Sequence, residues 1–112
     1  DCIFTAPDQT LELWDIKTSK PWFGNVPYDE NIAQTSLYAE MYEELTGESI
    51  RVIRIARTGK TKEDKGDLWT VTESQRKAGL DLGHIAINAY YAKRRLKNSL
   101  ENPGVLEMSL FK

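Results

Sequence analysis

The sequence predicts an α/β domain with a mixed β-sheet and helices packed against it. Two observations support this fold class. Short stretches that alternate apolar and polar residues occur in two pairs, and a long segment with apolar residues at helical spacing follows each pair. The length of 112 residues favours one domain spanning residues 1–112. No apolar run approaches the roughly 18 residues of a membrane span, so we expect no membrane partner.

The first pair of strands is predicted to form a hairpin. Residues 1–5 and 11–17 alternate in polarity, and the segment between them is rich in turn formers. Residues two apart on a strand share a face, so Asp15 and Lys17 leave one face at the end of the second strand. The hairpin is expected to bring Asp1 close to Asp15, and two neighbouring carboxylates repel unless a divalent cation lies between them.

A loop and then a helix are predicted after this hairpin. Pro21, Gly24 and Pro27 cannot sustain a strand or a helix together. The helix is predicted over residues 30–46, and Gly47 is placed to end it. Its core-facing stripe is predicted to consist of Ile32, Leu37, Met41 and Leu45.

The second pair of strands, residues 49–57 and 67–71, is predicted to form a hairpin with a basic tip. Arginines on both faces of the first strand indicate a position near the sheet edge. Thr72 and Gln75 form the pattern of a capping box, which opens a helix predicted over residues 73–100. Gly79 and Gly83 permit a close backbone approach there. The apolar stripe predicted to lie along the sheet is Ala78, Leu82, Ile85, Ala89, Ala92 and Leu96.

The composition describes a protein that is not globally basic. The formal net charge is −2, so nucleic-acid binding would depend on local basic patches. Two patches are candidates, and for each the alternative is a solvated face or, at the helix end, cations that complement the helix dipole. Cys2 is predicted to be a small buried residue, and a single cysteine excludes an internal disulfide. The patches are Lys60, Lys62 and Lys65 in the hairpin tip, and Lys93, Arg94, Arg95 and Lys97 in the last helix.

The motifs occur in a specific order. An Asp, a hairpin, Asp-x-Lys-Thr-Ser at residues 15–19 and Gln-x-x-x-Tyr at residues 34–38 follow one another. This order resembles the RecB-type nucleases of the PD-(D/E)xK superfamily, in particular the single-domain exonucleases of phages and of mitochondrial genome maintenance. The resemblance covers residues 1 to about 100, with its motifs in residues 1–38. It implies a restriction-endonuclease-like core and metal-dependent hydrolysis of DNA phosphodiesters in recombination, repair or phage replication.

The resemblance also implies a role for each motif residue. Asp1 and Asp15 would bind one or two Mg²⁺ or Mn²⁺ ions, with the backbone carbonyl of Ile16 as a further ligand. Such ions polarise a phosphodiester and lower the pKa of a bound water. Lys17 would be the catalytic lysine, which orients that water or stabilises charge on the phosphate.

Further residues are expected to contact DNA. Gln34 and Tyr38 offer an amide and a hydroxyl beside the site, and Lys20 lies close enough in sequence to reach a phosphate. For Trp22 and its neighbour Phe23 two interpretations stay open, stacking on bases or covering the core under the loop. His84 is expected to be a structural or surface histidine.

One departure from the family pattern bears on activity. The family has a glutamate on a helix before the first motif strand, whereas this sequence starts at Asp1. We expect the C-terminal part of a longer nuclease, with a helix supplied by another chain or a truncated relic as alternatives. The rival function is a catalytically silent DNA-binding or assembly module, and a third is an interaction domain that binds no divalent ion. The expected location is the cytoplasm of a bacterial or phage-infected cell, with the mitochondrial matrix as the alternative.

Overall fold

The computed structural model describes residues 2–101, which form a four-stranded sheet and two helices. The predicted α/β class with a mixed sheet is confirmed. No helix in this part of the chain has the length and apolar character needed to cross a membrane. The elements are β1 (Cys2–Thr5), β2 (Leu11–Thr18), a single 3-10 turn (Phe23–Asn25), α1 (Asp29–Thr46), β3 (Ile50–Thr58), β4 (Asp67–Val71) and α2 (Glu73–Glu101).

The strands lie in the order β1-β2-β3-β4. The two predicted hairpins are antiparallel, and β2 and β3 are parallel neighbours at the centre. Parallel neighbours need a crossover connection, which α1 provides. Because β2 and β3 run in one direction, their last residues meet at one edge of the sheet, where Lys17 is opposite Arg57. We call this side of the sheet, which is formed by the ends of β2 and β3 and not by an edge strand, the carboxyl edge.

The core lies between the sheet and α1. Leu13 of β2, Ile53 and Ile55 of β3, and Val71 of β4 are buried there with Ala39 of α1. These strand residues are two apart or directly opposite one another, so they share the face that α1 covers. The alternation of apolar residues along the strands therefore fixes which face of the sheet is buried.

The predicted core stripe of α1 is wrong at two positions. Met41 and Leu45 are exposed, because α1 contacts both the sheet and α2 and faces them with small side chains. Thr35 and Ser36 can be buried because their hydroxyls donate to backbone carbonyls of the preceding turn. The buried residues of α1 are Ala33, Thr35, Ser36 and Ala39.

The predicted helix ends are confirmed. Gly47 ends α1 in the left-handed conformation, with a φ of 75°, and its N–H donates to the Glu43 carbonyl. At the start of α2, the Thr72 N–H donates to Gln75 Oε1 at 3.0 Å, and the Gln75 N–H donates to Thr72 Oγ1 at 3.2 Å. This reciprocal pair is the capping box that the sequence predicts.

The last helix packs across α1, and its predicted position along the sheet is wrong. Gly79 and Gly83 are the buried residues of α2 in the described part of the chain. A Cβ at Gly79 would lie 2.8 Å from Ile32 Cγ2, and one at Gly83 would lie 2.7 Å from Leu37 Cδ1. The predicted close approach at the glycines is thus confirmed, and all six residues of the predicted apolar stripe lie outside the buried set of this helix.

Two further predictions are corrected. β3 is a central strand, and it tolerates Arg54 because this side chain bonds to Glu12 at 3.0 Å and Thr70 at 2.6 Å. The bond from Arg54 lowers the pKa of Glu12.

Cys2 is exposed rather than buried, since β1 is an edge strand whose side chains are all exposed.

Candidate active site at the carboxyl edge of the sheet

Asp15 and Lys17 form an ion pair at the carboxyl edge. Asp15 follows Leu13 on the helix-covered face of β2 and its side chain is 2% exposed. The Lys17 ammonium lies 3.5 Å from Asp15 Oδ1, and the lysine side chain is 39% exposed. The predicted common face is therefore confirmed. The carboxylate is buried, whereas the cation reaches solvent.

The second oxygen of the buried carboxylate is unpaired. Asp15 Oδ2 has no hydrogen-bond partner within residues 2–101. Buried polar atoms are normally hydrogen-bonded, and in residues 2–101 the two side-chain exceptions are Asp15 Oδ2 and the indole Nε1 of Trp22. Of the two, only the Asp15 oxygen belongs to a carboxylate, so its lack of a partner calls for a physical explanation. A carboxylate oxygen in this state fits a hard cation such as Mg²⁺ or Mn²⁺, which takes oxygen ligands.

The described residues supply only part of the ligand set that the sequence predicts. Residues 2–101 contain no group of three Asp, Glu, His or Cys side chains that could hold a metal ion. Asp15 therefore provides one carboxylate, and Asp1, the other predicted carboxylate ligand, lies outside the described residues. The carbonyl of Ile16, next to Asp15 on β2, stays a predicted ligand.

Gln34 and Tyr38 form a second pair, on α1. Gln34 Nε2 donates to the Tyr38 hydroxyl at 3.1 Å, which confirms that they share a helical face. Both side chains are exposed, and Gln34 also lines the groove between α1 and α2. Within residues 2–101, no hydrogen bond or ion pair connects this pair to Asp15 or Lys17. Their contact with DNA stays a prediction.

The two aromatic candidates in the loop after β2 differ in exposure. Trp22 is 4% exposed and belongs to the hydrophobic core, whereas Phe23 is 91% exposed. The prediction that Trp22 stacks on bases is therefore wrong, and its alternative, covering the core, is confirmed. The reason is the large apolar area of an indole, which is buried under a long connection. Lys20 is exposed in this loop, and its phosphate contact stays a prediction.

Arg57 is a site-adjacent residue that the sequence reasoning missed. Its side chain is buried opposite Lys17. The guanidinium donates to the two oxygens of Asp64 at 2.6 and 2.7 Å, to Asp67 Oδ2 at 2.8 Å and to the Ser19 carbonyl at 2.9 Å. We call this group the Arg57 clamp. It ties β2, β3 and β4 together at the carboxyl edge.

The electrostatics of the clamp follow from its hydrogen bonds. The bonds from Arg57, helped by the Gly66 N–H, lower the pKa of Asp64 to about 2. The two carboxylates in turn raise the pKa of Arg57, so it stays charged. Asp64 therefore stays charged over the whole physiological pH range and shares the buried Arg57 cation with Asp67.

The sequence does contain a signal for this clamp. Arg57 and Asp67 are the residues that face each other across the mouth of the predicted second hairpin. Gly66 precedes Asp67 with a φ of 84°, and a Cβ there would overlap the Arg57 carbonyl oxygen. The signal in the sequence is an arginine and an aspartate at the two ends of the predicted hairpin loop, with a glycine before the aspartate, a pattern that indicates a closed turn.

Comparisons of the chain with family models, with curated proteins and with solved structures find no match. Function is therefore inferred from the geometry of the site.

Proposed function

We propose that this chain is a metal-dependent DNA nuclease domain of the RecB type, with a restriction-endonuclease-like core. The activity is hydrolysis of DNA phosphodiesters, from an end, in recombination, repair or phage replication. One observation carries the proposal. Asp15 is buried with an unpaired oxygen, and the only cation paired with its carboxylate within residues 2–101 is Lys17, which reaches solvent.

The topology supports this assignment. Open α/β sheets bind ligands at the carboxyl ends of their parallel strands. Asp15 and Lys17 lie near that end of β2, where the loop of residues 19–28 leaves for α1. An ion pair between a buried carboxylate and a partly exposed lysine is better placed for chemistry than for stability, because a hydrophobic residue at Asp15 would serve the core equally well.

The roles of the residues follow from their exposure and charge. Mg²⁺ or Mn²⁺, when bound, would polarise the scissile phosphodiester and lower the pKa of a bound water. Asp15 would hold the ion through Oδ2, and Asp1 and the Ile16 carbonyl would complete the ligand set. Lys17 keeps its ammonium fixed by Asp15 Oδ1 and open to solvent, where it would meet a phosphate oxygen.

Three exposed side chains are proposed as DNA contacts beside this centre. Gln34 and Tyr38 are already oriented by their mutual hydrogen bond, which leaves an amide carbonyl available to accept and a hydroxyl hydrogen available to donate. Lys20 follows the strand end in the exposed loop, where its long side chain can reach a bound phosphate. Each would act on binding of DNA rather than on the hydrolytic step.

Digestion of end-labelled single- and double-stranded DNA in Mn²⁺ tests the proposal. We expect cleavage by the wild type and none by Asp15→Asn. Glu12→Gln is the matched control, because Glu12 lies on the same strand at a position of opposite parity and bonds to Arg54. It should cleave like the wild type. Cleavage by Asp15→Asn at the wild-type rate would refute the proposed site.

A second candidate function is a catalytically silent DNA-binding or assembly module that keeps the fold. The observation that favours it is that residues 2–101 contain no group of three Asp, Glu, His or Cys side chains that could hold a metal ion. It predicts DNA binding, with or without Mn²⁺, and no cleavage of either DNA form. The same digestion therefore separates the two functions.

A further inference from the structure

The loop between β3 and β4, residues 59–66, begins beside the candidate site. The Ser19 N–H donates to the Thr58 carbonyl at 3.3 Å, and the Thr18 and Thr58 hydroxyls lie 2.8 Å apart. β2 and β3 therefore stay joined up to the residue where this loop starts. The loop contains three lysines and two acidic residues, so the charge that it presents to solvent depends on whether the acidic side chains are exposed or paired inside the protein.

The Arg57 clamp removes one acid from the surface of this loop. Asp64 directs both carboxylate oxygens at the buried Arg57 guanidinium and also accepts from the Gly66 N–H at 3.0 Å. Asp64 therefore points into the protein, where it shares the single positive charge of Arg57 with Asp67. The exposed acids at the loop are Glu63 within it and Asp67 directly after it, so the three lysines outnumber them by one. The lysines are Lys60, Lys62 and Lys65.

The same contacts hold the loop closed. A Cβ at Gly59 would overlap the Asp64 backbone, and one at Gly66 would overlap the Arg57 carbonyl oxygen. The two ends of the loop are therefore packed against the clamp with no room for a side chain. A loop fixed in this way loses little conformational entropy when it binds a ligand.

We propose that this loop is a binding surface for the DNA phosphate backbone, and that the Arg57 clamp holds its three lysines at the carboxyl edge beside Asp15 and Lys17. The choice of DNA as the ligand rests on the proposed nuclease function. Lysine ammonium groups bind phosphates as point charges, and each such pairing releases a condensed counterion. A protein of net charge −2 needs such a local surface to attract a polyanion.

The salt dependence of binding tests the lysines. Binding of a short fluorescein-labelled DNA duplex is measured by anisotropy in EDTA at several salt concentrations. Replacing Lys60, Lys62 and Lys65 together by Gln should weaken binding and reduce the slope of log K against log salt by about 0.9 for each phosphate that the variant no longer neutralises. An unchanged slope would overturn the proposal, as would absence of binding by the wild type.

A pair of charge-matched variants tests the clamp. Asp64→Asn and Glu63→Gln each remove one negative charge from neighbouring positions of the same loop. Charge alone predicts tighter DNA binding by both. The clamp predicts that Asp64→Asn binds more weakly than the wild type, because the loop is released from Arg57, while Glu63→Gln binds at least as tightly. Equal gains by both variants would overturn the role of the clamp.

These measurements are independent of catalysis. EDTA removes the metal, so the binding of the lysine variant is measured without cleavage. If the protein cleaves no DNA and the nuclease proposal fails, weaker binding by this variant would still support the loop surface. Conversely, cleavage in Mn²⁺ with an unchanged salt slope would overturn only the loop surface. If Asp64→Asn fails to fold, the lysine variant decides, because it changes side chains that lie outside the core.

Discussion

Replacing Asp15 by Asn should stabilise the protein in the absence of metal and remove its stabilisation by Mn²⁺. In the wild type, a carboxylate that is 2% exposed has one oxygen paired with Lys17 and the other without a hydrogen-bond partner within residues 2–101. The substitution keeps the shape of the side chain and removes its charge. Its effect on stability therefore isolates the cost of holding this charge in the core.

The magnitude follows from two opposing contributions. An unpaired buried polar group costs about 1–3 kcal/mol, and more when it is charged. Loss of the ion pair with the half-exposed Lys17 costs less than about 1 kcal/mol, and the unpaired Asn amide retains part of the burial cost. We expect a net gain of about 1 kcal/mol, which raises the Tm of a domain of this size by about 4 °C.

Mn²⁺ should reverse the order of the Tm values of the wild type and Asp15→Asn. A ligand at one hundred times its Kd stabilises the state that binds it by about 2.7 kcal/mol, or roughly 10 °C here. Thermal unfolding followed by circular dichroism, in EDTA and in Mn²⁺, gives the four Tm values. We expect the variant to be higher in EDTA and the wild type to be higher in Mn²⁺.

Glu12→Gln controls for effects of charge on β2, and it should leave the Mn²⁺-dependent rise in Tm unchanged. A variant Asp15→Asn that melts below the wild type in EDTA would show that Asp15 is a structural residue. An equal rise in Tm for both proteins in Mn²⁺ would show that the metal binds elsewhere. Either result would refute the reasoning from the unpaired oxygen.

Three other predictions follow from the same structure. Lys17→Ala should leave the Mn²⁺ affinity nearly unchanged in calorimetry while lowering the rate of DNA cleavage, and loss of the fold instead would make Lys17 structural. Gly79→Ala should lower stability by about 1–2 kcal/mol in urea titration, because a Cβ only 3.0 Å from the Ile32 carbonyl oxygen costs more than the helix propensity gained. The pKa of Asp64 is lowered from 3.8 to about 2, so its contribution is complete above pH 3.8 and is lost as the pH falls towards 2. Asp64→Asn should therefore converge on the wild-type stability over that range, and a constant difference would contradict the clamp.

Local patterns predicted the elements of the fold well. Alternation placed β1, β2 and β4, and the capping box at Thr72 and Gln75 fixed the start of α2 because both bonds of the motif lie within one turn. Gly47 likewise ended α1 through its own backbone conformation. In each case the determinants lie within a few residues of one another, so the sequence contains all of the necessary information.

Helix packing was predicted less well. Large apolar residues at helical spacing normally mark a buried stripe, but Met41 and Leu45 are exposed and the buried side chains of α1 are small. Gly79 and Gly83 explain the difference, because a close crossing of α1 and α2 needs small residues at the contact. Which of two possible faces is buried depends on the partner element, and no local pattern specifies it.

In the candidate site, too, features set by local sequence could be predicted and features set by tertiary contacts could not. The common face of Asp15 and Lys17 follows from strand parity and could be predicted. The burial of Trp22 could not, because it depends on how the loop folds back over the core. Arg57 was missed although Asp64 and Asp67 lie only 7 and 10 residues away, across the second hairpin. Its bond to the Ser19 carbonyl, 38 residues away, could not be predicted because it depends on the parallel pairing of β2 and β3.

The most direct test of the central claim is calorimetric titration of Mn²⁺ into the wild type and into Asp15→Asn. The buried, unpaired carboxylate oxygen predicts binding to the wild type and none to the variant. Absence of binding to the wild type, or equal affinity for both proteins, would contradict the metal site and with it the proposed nuclease function.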